Sequence, residues 1–318
     1  IAMVNILILG GAGFIGSQLT EKFSHIGTVT VIDGLVPGTG GSFDYIRHIE
    51  GVIFIEKTIE NVSELAKIVS RQNIVIDAMG WTSHLGAISD PLLDLKLNLH
   101  SHLVLLDCLK DHLCDDSLII YLGSAGQYGN CELNLVDETV AMLPIDIQGI
   151  NKVSAENYFR VYSRLYGLNV VSFRIPNCYG QSQPHSGADI GLVGGFIRSA
   201  LLDKNIEVFG HDRRRNVVYV KDLVDFIYSI STLPNESFES YNVPCNNISI
   251  KVLAETISSL VSVCTVSFKS VPEKVRKIDV NSFELDVRKI ECKIGTQKMS
   301  NLKDGLGSTI EYFLGRLR

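Results

Sequence analysis

Short runs of consecutive apolar residues recur through the first half of the chain, and between them apolar residues return every three or four positions. Continuous apolar runs bounded by turn residues are typical of buried parallel strands, and the wider spacing is typical of amphipathic helices. Helices are therefore predicted at residues 14–26, 62–70, 91–110 and 154–166. The runs that predict strands are VNILILG, TVTVID, NIVIDAMG, LIIYLGS and NVVSFRI.

This alternation predicts an α/β fold, in the form of a Rossmann-type doubly wound parallel sheet with right-handed crossovers. The alternation of predicted strands and helices ends after Pro176. A Gly/Ser/Pro-rich loop follows, and the strands predicted after it are shorter and more widely spaced. We predict a first domain over residues 1–176 and a smaller, mixed α/β C-terminal lobe over residues 177–318, with about 216–233 packing back onto the first domain. Ligands of such sheets bind beyond the carboxyl ends of the strands, so we expect the chemistry there.

Composition narrows the classes of protein that fit. The 318 residues are 46% hydrophobic, enough for the cores of two domains, and the formal net charge of -6 argues against a nucleic-acid binder. No apolar run approaches the ~20 residues of a membrane-spanning helix, and no signal peptide is apparent. The seven cysteines are scattered without a CxxC pair, which predicts reduced thiols in a cytoplasmic protein and no metal site.

A glycine-rich loop follows the first predicted strand and opens the first predicted helix. Gly10 permits a tight turn, Gly13 lets the backbone approach a pyrophosphate, and Gly16 lets the helix pack on the strand. The backbone N–H groups that open the helix, at Phe14 and Ile15, then face the phosphates. In this position the loop predicts binding of a dinucleotide.

Asp33 is the last residue of the second predicted strand. It follows the glycine loop by about twenty residues, the sequence separation that is typical of a dinucleotide site. A carboxylate there accepts hydrogen bonds from the ribose hydroxyls of the cofactor. It would repel a 2′-phosphate, so we expect NAD rather than NADP.

Several motifs together resemble the extended short-chain dehydrogenase/reductase family, and within it the nucleotide-sugar epimerases and dehydratases. The similarity runs from Val4 to the C-terminal DGLGSTIEYF. It implies that bound NAD takes a hydride from a carbon of a nucleotide-diphosphate sugar and then returns it. The motifs are GGAGFIG, YLGSAGQYG, the NK of IQGINK, RIPNCYG and RRRNVVYVKD.

The resemblance implies roles for residues of the catalytic and cofactor sites. Ser124 matches the serine that hydrogen-bonds the reacting sugar oxygen. Lys152 matches the lysine that lowers the pKa of a catalytic tyrosine and also reaches the nicotinamide ribose. Asn98, in LKLNLHSH, matches an asparagine that supports the cofactor site.

The resemblance also implies a substrate site for the sugar diphosphate. Asn177 matches a residue that contacts the phosphates, and Arg215 and Arg276 match two arginines that clamp them. Guanidinium groups suit this task because they give bidentate, charge-assisted hydrogen bonds to phosphate oxygens.

The residues after Ser124 discriminate between branches of the family. Sugar 4,6-dehydratases carry an Asp-Glu pair there, which protonates the leaving hydroxyl. This chain has Ala125 and Gly126, so it has no carboxylate at these positions for elimination. The segment is most similar to the epimerases, in which small residues leave room for the sugar to rotate.

The catalytic tyrosine of the family is expected at position 148, but the residue there is Gln148. An amide donates and accepts hydrogen bonds but does not take up a proton near neutral pH. General acid–base catalysis is worth ~10²–10⁴-fold, so sugar oxidation would be slow unless another group replaced the tyrosine. Ser124, Gln148 and Lys152 are the candidate catalytic set.

Three explanations of Gln148 stay open at this stage. Another group can serve as base, and His84, after the carboxyl end of a predicted strand, is the first candidate, ahead of Tyr128 and Tyr179. Alternatively, the protein binds NAD and a nucleotide sugar without rapid turnover, as a sensor or assembly subunit. In the third explanation, the protein is an ordinary epimerase in which Gln148 is an engineered or strain-specific substitution that impairs catalysis.

Members of this family often dimerise through two long helices of each subunit. The resemblance therefore implies a homodimer formed by the segments 91–110 and 154–166.

Overall fold

Strands and helices alternate through the first half of the chain. The computed structural model describes residues 4–185, 187, 190–210, 212–271, 273 and 282–317. The strands are β1 (Val4–Leu9), β2 (Gly27–Asp33), β3 (Ile53–Glu56), β4 (Ile74–Asp77), β5 (Leu118–Ser124), β6 (Leu135–Val136), β7 (Asn169–Ile175), β8 (Asn177–Tyr179), β9 (Asn205–Phe209), β10 (Arg214–Tyr219), β11 (Phe238–Asn242), β12 (Asn246–Ser249), β13 (Thr265–Lys269) and β14 (Glu284–Leu285). The helices are α1 (Phe14–Ser24), α2 (Leu65–Val69), α3 (His84–Ser89), α4 (Pro91–Leu95), α5 (Ser101–His112), α6 (Ile147–Tyr166), α7 (Gly191–Leu202), α8 (Val220–Ser231), α9 (Ile250–Leu260), α10 (Arg288–Ile294) and α11 (Leu302–Leu317).

Seven strands form one parallel sheet in the order β11-β7-β5-β4-β1-β2-β3. The predicted doubly wound parallel sheet is confirmed, and β1, β2, β4, β5 and β7 are the strands that the apolar runs predicted. The strand order reverses between β1 and β4, so a crevice for a ligand opens beyond the carboxyl ends of these two strands.

The helix bounds differ from the predicted ones in three places. The helix predicted over 62–70 shortens to α2, whereas the one predicted over 154–166 begins earlier, as α6 at Ile147. Between α4 and α5 the segment Lys96–His100 forms a π-helical turn, within the single helix that was predicted. His84, expected in a loop, is the first residue of the short helix α3.

The remaining strands form three small sheets, one of which pairs β6 with β14. Strands β8, β10 and β12 make a three-stranded sheet, and β9 pairs with β13. Helix α8 packs against α1, where the rings of Phe23 and Tyr228 meet edge to face at 5.9 Å. The Lys22 ammonium and the Asp225 carboxylate form an ion pair at 2.7 Å across the same contact. Residues between 216 and 233 thus contribute β10 to a small sheet and α8 to the contact with α1, while the domain boundary at residue 176 stays a prediction.

A buried carboxylate on α6 ties this helix to the strands of the sheet. The Glu156 carboxylate accepts hydrogen bonds from Arg174 Nη2 at 2.7 Å, from Ser172 Oγ at 3.0 Å and from Gln127 Nε2 at 2.9 Å. Burial raises the pKa of Glu156, but the Arg174 guanidinium and the other donors hold it below its usual value. The fold therefore buries the Glu156–Arg174 ion pair together with further hydrogen-bond donors to the carboxylate. A buried ion pair is tolerated when its groups are hydrogen-bonded in this way.

The network continues from Arg174 toward the C-terminal lobe. Arg174 Nη1 donates to the Tyr128 hydroxyl at 2.7 Å, and that hydroxyl donates to Asn242 Oδ1, also at 2.7 Å. Asn242 Nδ2 in turn donates to the carbonyl oxygens of Val136 and Asp286. One chain of hydrogen bonds thus connects α6, β7, β11 and the short sheet of β6 and β14.

The Glu156 pair gives a direct test of stability. Arg174→Met should lower the free energy of unfolding by about 3–5 kcal/mol, because it leaves a buried carboxylate without its charge partner. Arg160→Met is the matched control, since Arg160 contacts the same carboxylate at 3.3 Å with a side chain that is 47% exposed. That change should cost at most about 1 kcal/mol. Urea unfolding of both variants measures the difference, and equal losses would contradict the assignment.

Candidate active site and dinucleotide cleft

The glycine loop packs so closely that side chains are excluded from it. Gly10 has a φ of +70°, and a Cβ atom placed on it would lie 2.7 Å from the carbonyl oxygen of Ala78. A Cβ atom on Gly16 would lie 2.0 Å from the carbonyl oxygen of Gly10. Gly13 is the N-cap of α1, and Phe14 opens the helix. The start of α1 therefore presents backbone N–H groups, with those of Phe14 and the following Ile15 first, at the strand reversal point.

Asp33 joins this loop to the end of β2. Its Oδ2 accepts from the Ala12 N–H at 3.0 Å and its Oδ1 from the Leu35 N–H at 2.9 Å. Burial raises the pKa of Asp33, and the two backbone donors offset this only in part. The cleft lined by Gly10, Gly13 and Asp33 therefore contains a carboxylate positioned to accept hydrogen bonds from a ligand.

The opposite wall of the cleft comes from the loop after β4 and from the turn between α4 and α5. Met79, Gly80, Leu93, Lys96 and Ser101 line it. Glu60 also borders the cleft. Its carboxylate accepts from Ser101 Oγ at 2.8 Å.

Lys152 lies beside this wall, one helical turn after Gln148. Its Nζ is 3.5 Å from the Met79 carbonyl oxygen and 3.3 Å from the Leu122 carbonyl oxygen. Burial lowers the pKa of Lys152 to about 8, against the opposing influence of Asp77 and Asp94. The lysine thus connects the cleft loop to the strand that carries Ser124.

Ser124 ends β5 and caps the following turn. Its N–H donates to Gln127 Oε1 at 2.7 Å, and its Oγ accepts from the Gly126 N–H at 3.0 Å. Because Gln127 Nε2 donates to Glu156, the backbone of Ser124 is coupled to α6. This turn also lies against the start of α6, since a Cβ atom on Gly149 would be 3.6 Å from the Gly126 carbonyl oxygen. The turn that follows Ser124 therefore lies against the first turns of α6, which carry Gln148 and Lys152.

Asn98 lies in the π-helical turn, completely buried, and holds the loop after β4. Its Oδ1 accepts from the Trp81 N–H at 3.0 Å, and its Nδ2 donates to the Trp81 carbonyl oxygen at 2.9 Å. The same Nδ2 donates to Asp94, whose other oxygen accepts from Asn151 Nδ2 at 2.7 Å. Asn98 thus supports the wall of the cleft from behind.

Gln148 is 7% exposed, and its side chain is held by the same loop. Gln148 Nε2 donates to the Trp81 carbonyl oxygen at 2.7 Å. The two lone pairs of that oxygen are then both used, one by Gln148 and one by Asn98. The Gln148 amide therefore has a structural partner at the edge of the site.

His84 and Asp146 form a pair beside Gln148. His84 Nδ1 lies 2.8 Å from Asp146 Oδ2, while the other oxygen of Asp146 accepts from the Gly149 N–H at 2.7 Å and caps α6. Burial raises the pKa of Asp146, but the His84 and Gly149 donors bring it below its usual value. The carboxylate is nearly buried, whereas the imidazole is 53% exposed.

The two tyrosines considered as bases are both buried. Tyr128 exchanges hydrogen bonds with Arg174 and Asn242, and burial raises the pKa of its phenol to about 12. Burial also raises the pKa of Tyr179, whose ring is only 1% exposed. Neither phenol therefore ionises near neutral pH.

Two of the three residues expected to bind the substrate, Asn177 and Arg215, lie on the three-stranded sheet. Asn177 follows β7 by two residues, and Ile175 of β7 is paired with Ser124, so Asn177 lies near the same sheet edge. Arg215 is in the neighbouring β10, where burial, followed by the charge of Arg213, lowers its pKa to about 10. Arg276 lies outside the described residues.

Within the described ranges, no helix is long and apolar enough to cross a membrane. The same ranges contain no cluster of three His, Cys, Asp or Glu side chains able to hold a metal ion.

Sequence reasoning missed the polar residues that support the site. Asp146 precedes the helix as an N-cap acid, a signal that local sequence does contain. Asp94 lies one helical turn before Asn98, which makes contact between them predictable once the helix is known. Gln127 and Glu156 gave no such signal, because their partners come from different strands and helices.

The fold and the site together define a doubly wound α/β protein with a glycine-rich loop at the strand reversal point and with Ser124, Gln148 and Lys152 near the carboxyl ends of the strands. The chain belongs to the NAD dependent epimerase/dehydratase family, whose model matches residues 6–243.

Comparison with individual proteins agrees with this assignment. A UDP-glucose 4-epimerase from Thermotoga maritima, solved with UDP-glucose, is 28% identical with a TM-score of 0.87, over 99% of this chain and 100% of that one. The Thermus thermophilus UDP-glucose 4-epimerase in complex with NAD is 23% identical and has a TM-score of 0.83, over 98% and 99% of the two chains, which shows a common fold. The CDP-paratose 2-epimerase of Salmonella typhi is 24% identical over 97% of this chain and 99% of its own.

The lowered pKa of Lys152 has a measurable consequence for stability. Below pH 8 the lysine is protonated in both folded and unfolded chains. Between pH 8 and about 10.4 the folded chain releases this proton while the unfolded chain keeps it, so stability should rise with pH, by on the order of 3 kcal/mol. Urea unfolding of the wild type at pH 7 to 10 should show this rise relative to Lys152→Met. The exposed Lys221→Met variant should keep it, and an unchanged rise in Lys152→Met would contradict the assignment.

Proposed function

We propose that this protein binds NAD and a nucleotide-diphosphate sugar and epimerises the sugar through transient oxidation at one carbon. The observation that carries the proposal is the position of Lys152, whose Nζ lies against both the cleft loop at Met79 and the strand of Ser124 at Leu122. A group bound in the cleft would therefore meet the lysine and the serine together. Family membership supports the same reading.

The cleft fits a dinucleotide on the evidence of its own packing. Close backbone contacts at Gly10 and Gly16 leave the start of α1 accessible to a pyrophosphate, which Gly13, Phe14 and Ile15 would hold through N–H groups. Asp33 would accept from the adenosine ribose, which favours NAD over NADP. Lys152 would donate to the nicotinamide ribose, and Asn98 would hold the loop behind it. When bound, the cofactor supplies a hydride acceptor that later returns the hydride.

The substrate part of the proposal rests on the sheet edge beside Ser124. Ser124 would hydrogen-bond the reacting sugar oxygen, and Asn177, Arg215 and Arg276 would hold the diphosphate. Ala125 and Gly126, which follow Ser124, have no carboxyl group, so these positions offer no acid for loss of a sugar hydroxyl. That favours epimerisation over dehydration.

The rival function is binding of NAD and the sugar nucleotide without turnover. It is favoured by one observation, the hydrogen bond that holds the Gln148 amide on the Trp81 carbonyl oxygen. We take Gln148 to occupy the position of the family's tyrosine, so the usual proton acceptor would be replaced by a structural amide.

We also propose a homodimer formed by the segments 91–110 and 154–166, which the structure folds as α4, the π-helical turn, most of α5 and the larger part of α6. The outer face of α6 carries apolar side chains that are exposed in the single chain, namely Tyr158, Val161 and Leu165. Burying such a face against a second copy would remove these side chains from water.

Ligand-dependent unfolding tests the proposed function. NAD should stabilise the protein by about 2.7 kcal/mol at a hundredfold excess over its Kd, and NADP should stabilise it less. Asp33→Asn is the matched variant. Because it removes the carboxylate, the stabilisation by NAD and the stabilisation by NADP should become more nearly equal. Absence of stabilisation by NAD would overturn the proposal. If UDP-glucose or other nucleotide sugars stabilise the protein but NMR detects no epimer after long incubation, the rival function holds.

Replacing Gln148 by tyrosine tests the position assigned to it. A phenol one turn before Lys152 would restore a proton acceptor whose pKa the lysine lowers, so turnover of the nucleotide sugar should rise by ~10²-fold or more where no other group serves as base. Where His84 already serves as base, the substitution should help little. Gln148→Phe is the control, because it has the ring without the hydroxyl and should give no gain. An equal effect of the two substitutions would contradict a catalytic role for position 148.

A further inference from the structure

Three contacts connect the loop after β4 to the first turns of α6, and they follow one another in order. Met79 faces Lys152, Trp81 faces Gln148, and the next contact joins His84 to Asp146. Later residues of the loop therefore contact earlier residues at the start of the helix. The series begins at the buried Lys152 and ends at the half-exposed His84. We call these three contacts the loop–helix seam.

His84 continues the seam one step beyond Gln148. Asp146, its partner, is two residues before Gln148 in the chain and fixes the first turn of the same helix through the Gly149 N–H. The histidine therefore contacts the residue that caps the helix turn carrying Gln148, the position at which the proposed reaction needs a proton acceptor. The His84 side chain is 53% exposed, whereas Trp81 and Gln148 are buried.

The contact with Asp146 sets the chemical state of the ring. A carboxylate oxygen only accepts, so the 2.8 Å contact requires a proton on His84 Nδ1. In the neutral ring the lone pair is then on Nε2, where it can accept a proton. The carboxylate also stabilises the imidazolium that forms on proton uptake, as an acid does for histidine in nucleophile–base–acid triads.

We propose that His84, oriented by Asp146, is the general base and acid that substitutes for the missing tyrosine. This inference rests on the proposed function, because it assigns the proton transfer of that same reaction. In the forward step the sugar O–H bond breaks and its proton passes to His84 Nε2. The electron pair of the broken O–H bond forms the C=O bond as the C–H bond breaks, and a nicotinamide dinucleotide held in the cleft would accept the hydride. Return of that hydride to the other face of the carbonyl carbon, with return of the proton from His84 to the oxygen, would give the epimer.

The other groups near the site are less suited to this step. The phenols of Tyr128 and Tyr179 are buried, with raised pKa values, and the Gln148 amide does not titrate. Lys152 is held between two carbonyl oxygens within the protein.

Two substitutions test the dyad. His84→Gln should lower kcat by ~10²-fold or more, with KM for the sugar nucleotide and Kd for NAD changed less than about threefold. Asp146→Asn keeps a good N-cap for α6 but replaces the acceptor facing His84 by an amide. It should therefore also lower kcat, because the His84 ring would then carry its proton on Nε2 and would have no lone pair there to accept the sugar proton. His112→Gln is the control, since His112 lies at the far end of α5 and contacts the Cys108 carbonyl oxygen.

Nitrogen-15 NMR of the histidine rings provides a readout that does not depend on turnover. The His84 signals of the wild type at pH 8 should be those of the Nδ1–H tautomer, and Asp146→Asn should shift them toward the Nε2–H tautomer. Wild-type epimerisation that His84→Gln leaves intact would overturn the dyad while the proposed function stands. Unchanged His84 signals in Asp146→Asn would also overturn it. A wild type that binds neither NAD nor a sugar nucleotide would overturn the proposed function itself.

Discussion

The arrangement of the site depends on one buried carboxylate, that of Glu156. Its two oxygens accept from Gln127, Ser172, Arg160 and Arg174, which lie on the turn after β5, on β7 and on α6 itself. A charge removed from water is tolerated only when donors surround it, so these elements can adopt few other relative positions. The position of α6 against the sheet follows from this constraint, and with it the position of Gln148 and Lys152 relative to Ser124.

The loop after β4 is the second element that α6 holds in place. Contacts along the loop–helix seam fix its backbone at Met79 and Trp81, while Asn98 holds Trp81 from the other side. The π-helical turn brings Asn98 into this position, and such turns are often found at functional sites. The loop after β4 is thus held from both sides, by α6 at Met79 and Trp81 and by Asn98 at Trp81, where it lines the cleft.

The sequence predicted the sheet and the glycine loop because both depend on local signals. Buried parallel strands are continuous apolar runs, and the spacing of Gly10, Gly13 and Gly16 follows from backbone packing. The short strands β3 and β11 were missed, since IFIE and FESYN are too brief for a pattern. The His84–Asp146 pair joins positions 62 residues apart. Hydrophobic periodicity carries no information on a contact at that separation, so this pair was found only in the tertiary structure.

A crystal structure of the protein with NAD and UDP-glucose tests the central claim most directly. The account expects the pyrophosphate at the start of α1 and the nicotinamide ribose about 3 Å from Lys152 Nζ. The oxygen of the reacting sugar carbon should lie within hydrogen-bonding distance of both Ser124 Oγ and His84 Nε2. A dinucleotide bound away from the glycine loop, or a sugar remote from both side chains, would contradict the account.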